Sequence, residues 1–377
     1  MNIVTKIKQL IEELCPNGIS YKELQDILTI KNGSDYKNLG EGDFPVYGSG
    51  GIMTYVDRFA YGKPSVLIPR KGSIDKLYYV DTPFWNVDTI FYTEINTDVA
   101  IPKFVFYCLQ KQHLEELNTA GGVPSLTQKV LNKVKIPVPP LPVQEEIVRI
   151  LDTFTELTTE LTTELTTRKQ QYEHYTYQLL NFDDTVQTHQ LRELIDFRNG
   201  KGHEKDIVSD GKYIVVNSKF ISTNGEVKKY SNKQICPLFV DDILMVMSDL
   251  PNGRALAKCF LVAEDDKYTL NQRIGAFHVK DESVIKTKFL LYVLNRNQQL
   301  LRYDNGVDQT NLRKDDILDI MIPVPSIEEQ ERIVAILDRF DTLCNDISEG
   351  LPAEIEARQK QYEYYRDKLL TFKALSA

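Results

Sequence analysis

The five histidines and five cysteines of this 377-residue chain are the residues first asked for metal or nucleophilic chemistry, and their spacing suits neither. His113, His174, His189, His203 and His278 are scattered, with no His-x-x-x-His pair, and Cys15, Cys108, Cys236, Cys259 and Cys344 include no Cys-x-x-Cys. No metal site and no disulfide framework are therefore expected, and the thiols read as inert. Tyr47-Gly-Ser-Gly-Gly51 lacks the Lys-Ser/Thr that a nucleotide-phosphate loop needs, and it reads as a turn. No Gly-x-Gly-x-x-Gly follows a strand, and no Asn-Pro-Pro-Tyr segment of an amino-methyltransferase is present. What remains is a set of hydrogen-bonding side chains in Gly- and Asn-rich loops, a chemistry of recognition.

The elements that must position those loops are written twice. Ile136-Pro-Val-Pro-Pro-Leu-Pro-Val-Gln-Glu-Glu-Ile-Val-Arg-Ile-Leu-Asp-Thr-Phe154 returns as Ile322-Pro-Val-Pro-Ser-Ile-Glu-Glu-Gln-Glu-Arg-Ile-Val-Ala-Ile-Leu-Asp-Arg-Phe340. A second block follows each copy, Arg168 to Tyr175 and Arg358 to Tyr365, and each ends in Leu-Leu-x-Phe. So long a period exceeds the roughly 20–50 residues of a solenoid unit and describes two tandem domains, each followed by a helical arm. Upstream, Leu24, Ile27, Ile30 and Gly33 can be laid on Leu191, Leu194, Phe197 and Gly200, after which the two domains diverge. Short β-branched and aromatic runs broken by Gly, Asn and Asp predict twisted strands and loops, with a helix late in each domain near 103–117 and 286–301. The expected partition is 1–143 for an N-terminal helix and first domain, 144–188 for the first arm, 189–325 for the second domain and 326–377 for the second arm.

In the arms the apolar side chains fall three or four apart. Ile147, Ile150, Leu151, Phe154, Leu157, Leu161 and Leu165 lead to Tyr172, Tyr175, Leu179 and Phe182. Ile333, Ile336, Leu337, Phe340, Leu343, Ile347 and Leu351 lead to Tyr362, Tyr365, Leu369 and Phe372. Such stripes pack against one another, because a lone amphipathic helix cannot bury its own apolar face. The Pro-rich runs before each arm favour extended backbone and end each domain. Between Phe154 and Arg168 stand three Glu-Leu-Thr-Thr units, and the matching stretch of the second arm carries Gly350-Leu351-Pro352, which predicts a kink or short break.

The net charge of -9 is concentrated in the arms. Residues 144–182 hold three Lys and Arg against seven Asp and Glu, and residues 326–377 hold seven against eleven, so each arm contributes -4 and the domains together about -1. Near-neutral domains can carry a basic face, whereas acidic arms suit a protein partner better than phosphate. The first fourteen residues space their apolar side chains as an amphipathic helix, and no apolar run is long enough for a signal core or membrane span, so a cytoplasmic protein is expected.

The duplicated Ile-Pro-Val-Pro block with its Gln-Glu and Leu-Asp, the Tyr-Gly-Ser-Gly-Gly and Ile68-Pro-Arg-Lys-Gly-Ser73 segments, Gly122-Val-Pro-Ser-Leu126 and the four-residue spacer repeats together resemble the specificity subunits of type I restriction-modification systems. The resemblance implies an α+β protein in which two target-recognition domains each read one half of a split DNA site. Between them, two long helices would pack as an antiparallel coiled coil with an approximate twofold axis. It implies a chain without catalysis of its own that binds double-stranded DNA and docks two methylation subunits and the restriction-translocation subunits. S-adenosylmethionine, ATP and Mg would then belong to those partners, with no cofactor on this chain.

Under that reading the candidate DNA contacts are Lys31, Ser49, Arg70, Lys71, Ser73 and Gln128 in the first domain. In the second they are Lys201, Asn217, Lys219, Asn252, Arg254, Gln272, Arg273 and Arg313. Arg pairs with guanine, Asn or Gln with adenine, and Lys more often with phosphate. Trp85 reads as a packed residue rather than a stacking platform. Two other readings fit less well: an enzyme acting alone, disfavoured by the missing motifs, and a coiled-coil scaffold without DNA readout, which leaves the divergent Asn- and Arg-bearing loops unexplained.

Overall fold

The computed structural model describes residues 3–118, 125–251, 254–346 and 348–375. The chain forms two compact units, Met1–Glu164 with Leu351–Ala377, and Leu165–Gly350. Each is built on an antiparallel four-stranded sheet of matching strand order. In the first unit the order is Leu28–Asn32, Ile90–Ile95, Ser65–Pro69, Tyr78–Val80, and in the second Ile195–Asn199, Ile274–Val279, Ile243–Val246, Cys259–Leu261. Val66-Leu-Ile68 and Ile243-Leu-Met-Val246 are buried throughout, as an uninterrupted apolar run requires of a central strand. Gly33 and Gly200 end the first strand of each sheet for one steric reason: a Cβ there would lie 2.1 Å from the Val87 carbonyl oxygen or 1.9 Å from that of Asn271.

A short ladder closes each domain: Tyr21–Glu23 pairs with Lys135–Pro137, and Thr188–Gln190 with Met321–Pro323. The Ile-Pro of each repeat is thus the last strand of its domain. The late helices are shorter than the sequence suggests, Pro102–Lys111 and Thr287–Leu294, because His113 (φ 46) and Arg296 (φ 59) adopt left-handed backbone and end the helical run. Trp85 is half-buried against Val46, Val56 and Val87, and its Nε1 donates to the Ser34 carbonyl at 3.0 Å.

The repeated motif clamps each arm to its own domain. Gln144 is fully buried; its amide donates to the carbonyls of Val99 (3.0 Å) and Pro139 (2.8 Å), and its Oε1 accepts from the Ile101 N–H (2.9 Å). Gln330 repeats this with Val284 (3.0 Å), Pro325 (2.9 Å) and the Lys286 N–H (2.8 Å). Eight residues on, Asp152 accepts from Lys103 and Tyr107, and Asp338 from Lys288 and Tyr292. Burial, reinforced by these carboxylates, pushes both tyrosine hydroxyls well above the usual phenol range, so they remain donors.

The first arm is one helix, Leu141–Leu180; it starts before the expected boundary and takes Pro142 into its first turn, where a missing N–H costs nothing. The second arm breaks as expected into Ile327–Asn345 and Leu351–Leu369. Asp346 caps the break, its carboxylate accepting from the Ser348 and Glu349 N–H groups, and a Cβ on Gly350 would sit 2.4 Å from the Thr342 carbonyl oxygen. In the first unit Ile147 and Leu151 are buried in a core that includes Leu369, with Tyr362 packed against it, and Phe154 stacks on Tyr365 at 5.2 Å. In the second unit Ile333 and Leu337 are buried in a core that Leu179 packs against, and Phe340 stacks on Tyr172 at 5.9 Å. Residues early in one arm therefore meet residues late in the other, an antiparallel arrangement within each unit. Leu161 is half-buried outside both cores, and Ile347 lies outside the described residues.

The N-terminal helix Ile3–Leu14 belongs to the first unit, with Ile7 in its core. Lys6 and Arg149 both donate to the buried Glu146, at 2.9 and 2.7 Å. Arg149 first, then Lys6, hold that carboxyl down to about 2 against an ordinary 4.5. A depressed carboxyl adds stability that is complete above about pH 4.5 and is lost as pH falls toward 2. Glu146→Gln should therefore flatten the acid limb of the thermal-stability profile of the chain between those values, and an unchanged limb would contradict the assignment.

Candidate nucleic-acid interface

In the first unit the candidate side chains gather at one end of the four-stranded sheet, where Leu28–Asn32 and Ser65–Pro69 finish and Ile90–Ile95 begins. Lys31 precedes Asn32, whose Oδ1 accepts from Gln128 Nε2 at 3.4 Å. Arg70 leaves the central strand with its N–H on the Thr89 carbonyl and its own carbonyl holding the Leu126 N–H, and Lys71 bridges to Ser125. Ser49 tips a hairpin between Phe44–Gly48 and Gly51–Val56, as the glycine-rich turn predicted; its N–H reaches Thr89 Oγ1 at 3.4 Å. A Cβ added to Gly72, between Lys71 and Ser73, would lie 3.4 Å from the Ser49 hydroxyl.

The second unit brings Lys201, Asn217, Gln272, Arg273 and Arg313 to the corresponding end. Lys201 bridges to Asn271, immediately before Gln272 and Arg273, and Asn271 donates from its N–H to the Val216 carbonyl beside Asn217. Arg313 follows Leu312, whose N–H is held by the Met247 carbonyl at the end of the central strand. Arg254 is exposed on a loop that the Asp249 carboxylate anchors through the N–H groups of Ala255 and Leu256, and Asn252 lies outside the described residues. Several candidates already have intramolecular work: besides Gln128 on Asn32, the Lys31 ammonium lies 3.7 Å from the Glu94 carboxylate. Asn217 Oδ1 accepts from the Phe220 N–H and caps the Ser218–Ser222 helix, on which Lys219 is exposed, and Gln272 donates to Glu204 at 2.6 Å. Loop position and residue type do not bring out Asn32 or Lys314, whose ammonium lies 5.5 Å over the Phe197 ring. Asn-Gly at the end of each first strand was the available signal for Asn32.

Bond for bond the two ends share a backbone frame. The N–H of Arg70 on Thr89 and of Leu126 on Arg70 correspond to those of Met247 on Arg273 and of Leu312 on Met247. The side chains on that frame differ. The sequence profile described as type I restriction modification DNA specificity domain matches twice, over residues 16–168 and 183–357. The chain belongs to the type I restriction-modification DNA specificity family. Among relatives of this specificity family, the EcoR124I/EcoR124II specificity subunit of Escherichia coli is 34% identical over 306 residues, 74% of this chain and 73% of that protein. A Haemophilus influenzae protein described as a putative type I restriction enzyme specificity subunit is 28% identical over 98% of both chains. The fold matches the crystal structure of the type I restriction-modification S subunit of M. genitalium with a TM-score of 0.60 over 94% of this chain and 96% of that one, at 16% identity. Among the described residues, no helix of this specificity subunit is long and apolar enough to cross a membrane.

Proposed function

We propose that each unit of this specificity subunit reads one half of an asymmetric, interrupted DNA site through the loops at its sheet end, and that the chain itself performs no catalysis. The observation that carries the reading is the shared backbone frame bearing different side chains: two equivalent platforms with unlike donors suit two unlike half-sites. A scaffold without DNA readout would not need the same frame kept under divergent Arg, Lys and Asn positions. Two methylation subunits and the restriction-translocation subunits are the partners in this proposal, and S-adenosylmethionine, ATP and Mg act in them.

Co-expression with the methylation subunit, followed by single-molecule mapping of methylated positions, should yield one split motif with a fixed gap whose halves change separately when either domain is exchanged. Identical methylation with and without the chain would overturn the proposal. Acidic residues at the arm starts are the proposed contacts for the methylation subunits. Glu145 and Glu328 are exposed, whereas Glu146 is buried against Lys6 and Arg149, and Glu329 pairs with Arg332 at 2.6 Å. The double reversal Glu145→Lys with Glu328→Lys is therefore expected to weaken co-purification of the methylation subunit, and undiminished recovery would remove the arms from the interface.

A further inference from the structure

We infer that each domain carries its base-reading arginine on one or the other member of a single backbone-bonded pair of positions, and that Arg70 and Arg273 each select a guanine in their own half-site. This deepens the proposed reading and rests on it. The pair is Arg70 with Thr89 in the first unit, joined N–H to carbonyl at 3.0 Å, and Met247 with Arg273 in the second, joined at 2.9 Å. Each position is the first residue beyond the end of one of two adjacent central strands, and the backbone bond ties the two together there.

The surroundings have been exchanged along with the arginine. In the first unit the Arg70 guanidinium lies 5.0 Å over the Phe91 ring, and its Nε is buried without a partner. A planar group held on a ring loses little further freedom on pairing, and a buried unpaired donor in a cation calls for a reason beyond packing. Phe91 faces Ile68 in the register, and Gly275 takes its place opposite Met245. A Cβ at Gly275 would come within 2.8 Å of the Phe197 ring and 3.0 Å of the Met247 sulfur, so those two side chains fill the space beside it. The second unit then places its arginine across the backbone bond, at Arg273, exposed and held at φ 69. Left-handed backbone at a non-glycine residue is strained and concentrates at functional positions.

Arg, Thr and Phe on one frame thus become Met, Arg and Gly on the other: one arginine is kept, its strand is switched, and the packing beneath it is rebuilt to suit. Independent surface drift gives no reason for the three changes to fit together. A guanidinium fork matches the O6 and N7 acceptors of guanine in the major groove, whereas an ammonium at the same place holds phosphate without choosing a base.

The test maps methylation by the complex of the full chain with its methylation subunit, comparing the parent with Arg70→Lys and Arg273→Lys. Arg70→Lys should relax guanine preference at one position of the first half-site by roughly 10- to 100-fold, leaving the second half-site and the gap intact, and Arg273→Lys should do the converse. Full retention of guanine at every position, or a uniform fall in methylation with the motif unchanged, would overturn the assignment and make these arginines phosphate contacts. Should Arg70→Lys fail to assemble, the exposed Arg273 carries the test alone. A parent complex without any split motif would instead sink the underlying DNA-reading proposal, so the two failures are distinguishable.

Discussion

Removing one Glu-Leu-Thr-Thr unit from the first arm should change the gap of the methylated site by one or two base pairs while leaving both half-sites unaltered. The units lie within the single helix Leu141–Leu180, which contributes Ile147 and Leu151 to the first core and Leu179 to the packing around the second. Four residues amount to about 6 Å of rise and about 400° of rotation, roughly 40° beyond a full turn. Duplex DNA rises about 3.4 Å per base pair and turns once in about 10–10.5, so the rise corresponds to nearly two base pairs and the excess rotation to about one. The excision is clean because the unit satisfies itself. Thr158 and Thr159 donate their hydroxyls to the carbonyls of Phe154 and Thr155, and Thr162 and Thr163 repeat the bond to Thr158 and Thr159, so the shortened helix closes on identical residues. The check is the methylated motif of the deletion variant; an unchanged gap would show that the helix does not set the spacing.

What the sequence made legible follows from the reach of each signal. The arms could be read because their seams have a local period, and the break at Gly350 because Gly and Pro act on their own neighbours. The equivalence of the two sheets was legible only to Gly33 and Gly200. Beyond that point it resides in strand register, such as Ile68 opposite Phe91 and Met245 opposite Gly275, which no local pattern encodes. Loop position and residue type bring out Arg70 and Arg273 singly, but the backbone bonds that make their positions comparable, Arg70 to Thr89 and Met247 to Arg273, join residues distant in sequence. Residue type alone also misleads: Asn217 looks like an adenine reader and caps a helix, and Glu146 looks like a docking acid and is buried under Lys6.

The repeat itself was plain in the sequence while its purpose was not, because Gln330 acts on groups that sequence cannot place beside it. Gln330→Leu keeps the side-chain bulk and strands three backbone groups, the Lys286 N–H and the carbonyls of Val284 and Pro325. Each orphaned buried group costs about 1–3 kcal/mol, and relaxation or water at the half-exposed end recovers part of it, so a loss of about 2–4 kcal/mol is expected. In a unit of this size that corresponds to a fall in melting temperature of roughly 5–15 °C. The neighbouring exposed Glu331, whose carboxylate lies 3.5 Å from Lys286, is the control: Glu331→Gln should shift stability by no more than about 0.5 kcal/mol. Hydrogen exchange should place the weakening at the start of the Thr287–Leu294 helix, whose N-cap residue Lys286 donates its N–H to Gln330. A Gln330→Leu chain that melts with the parent would mean that the polar clamp is replaceable by packing, and that the repeated glutamine is kept for something other than holding arm to domain.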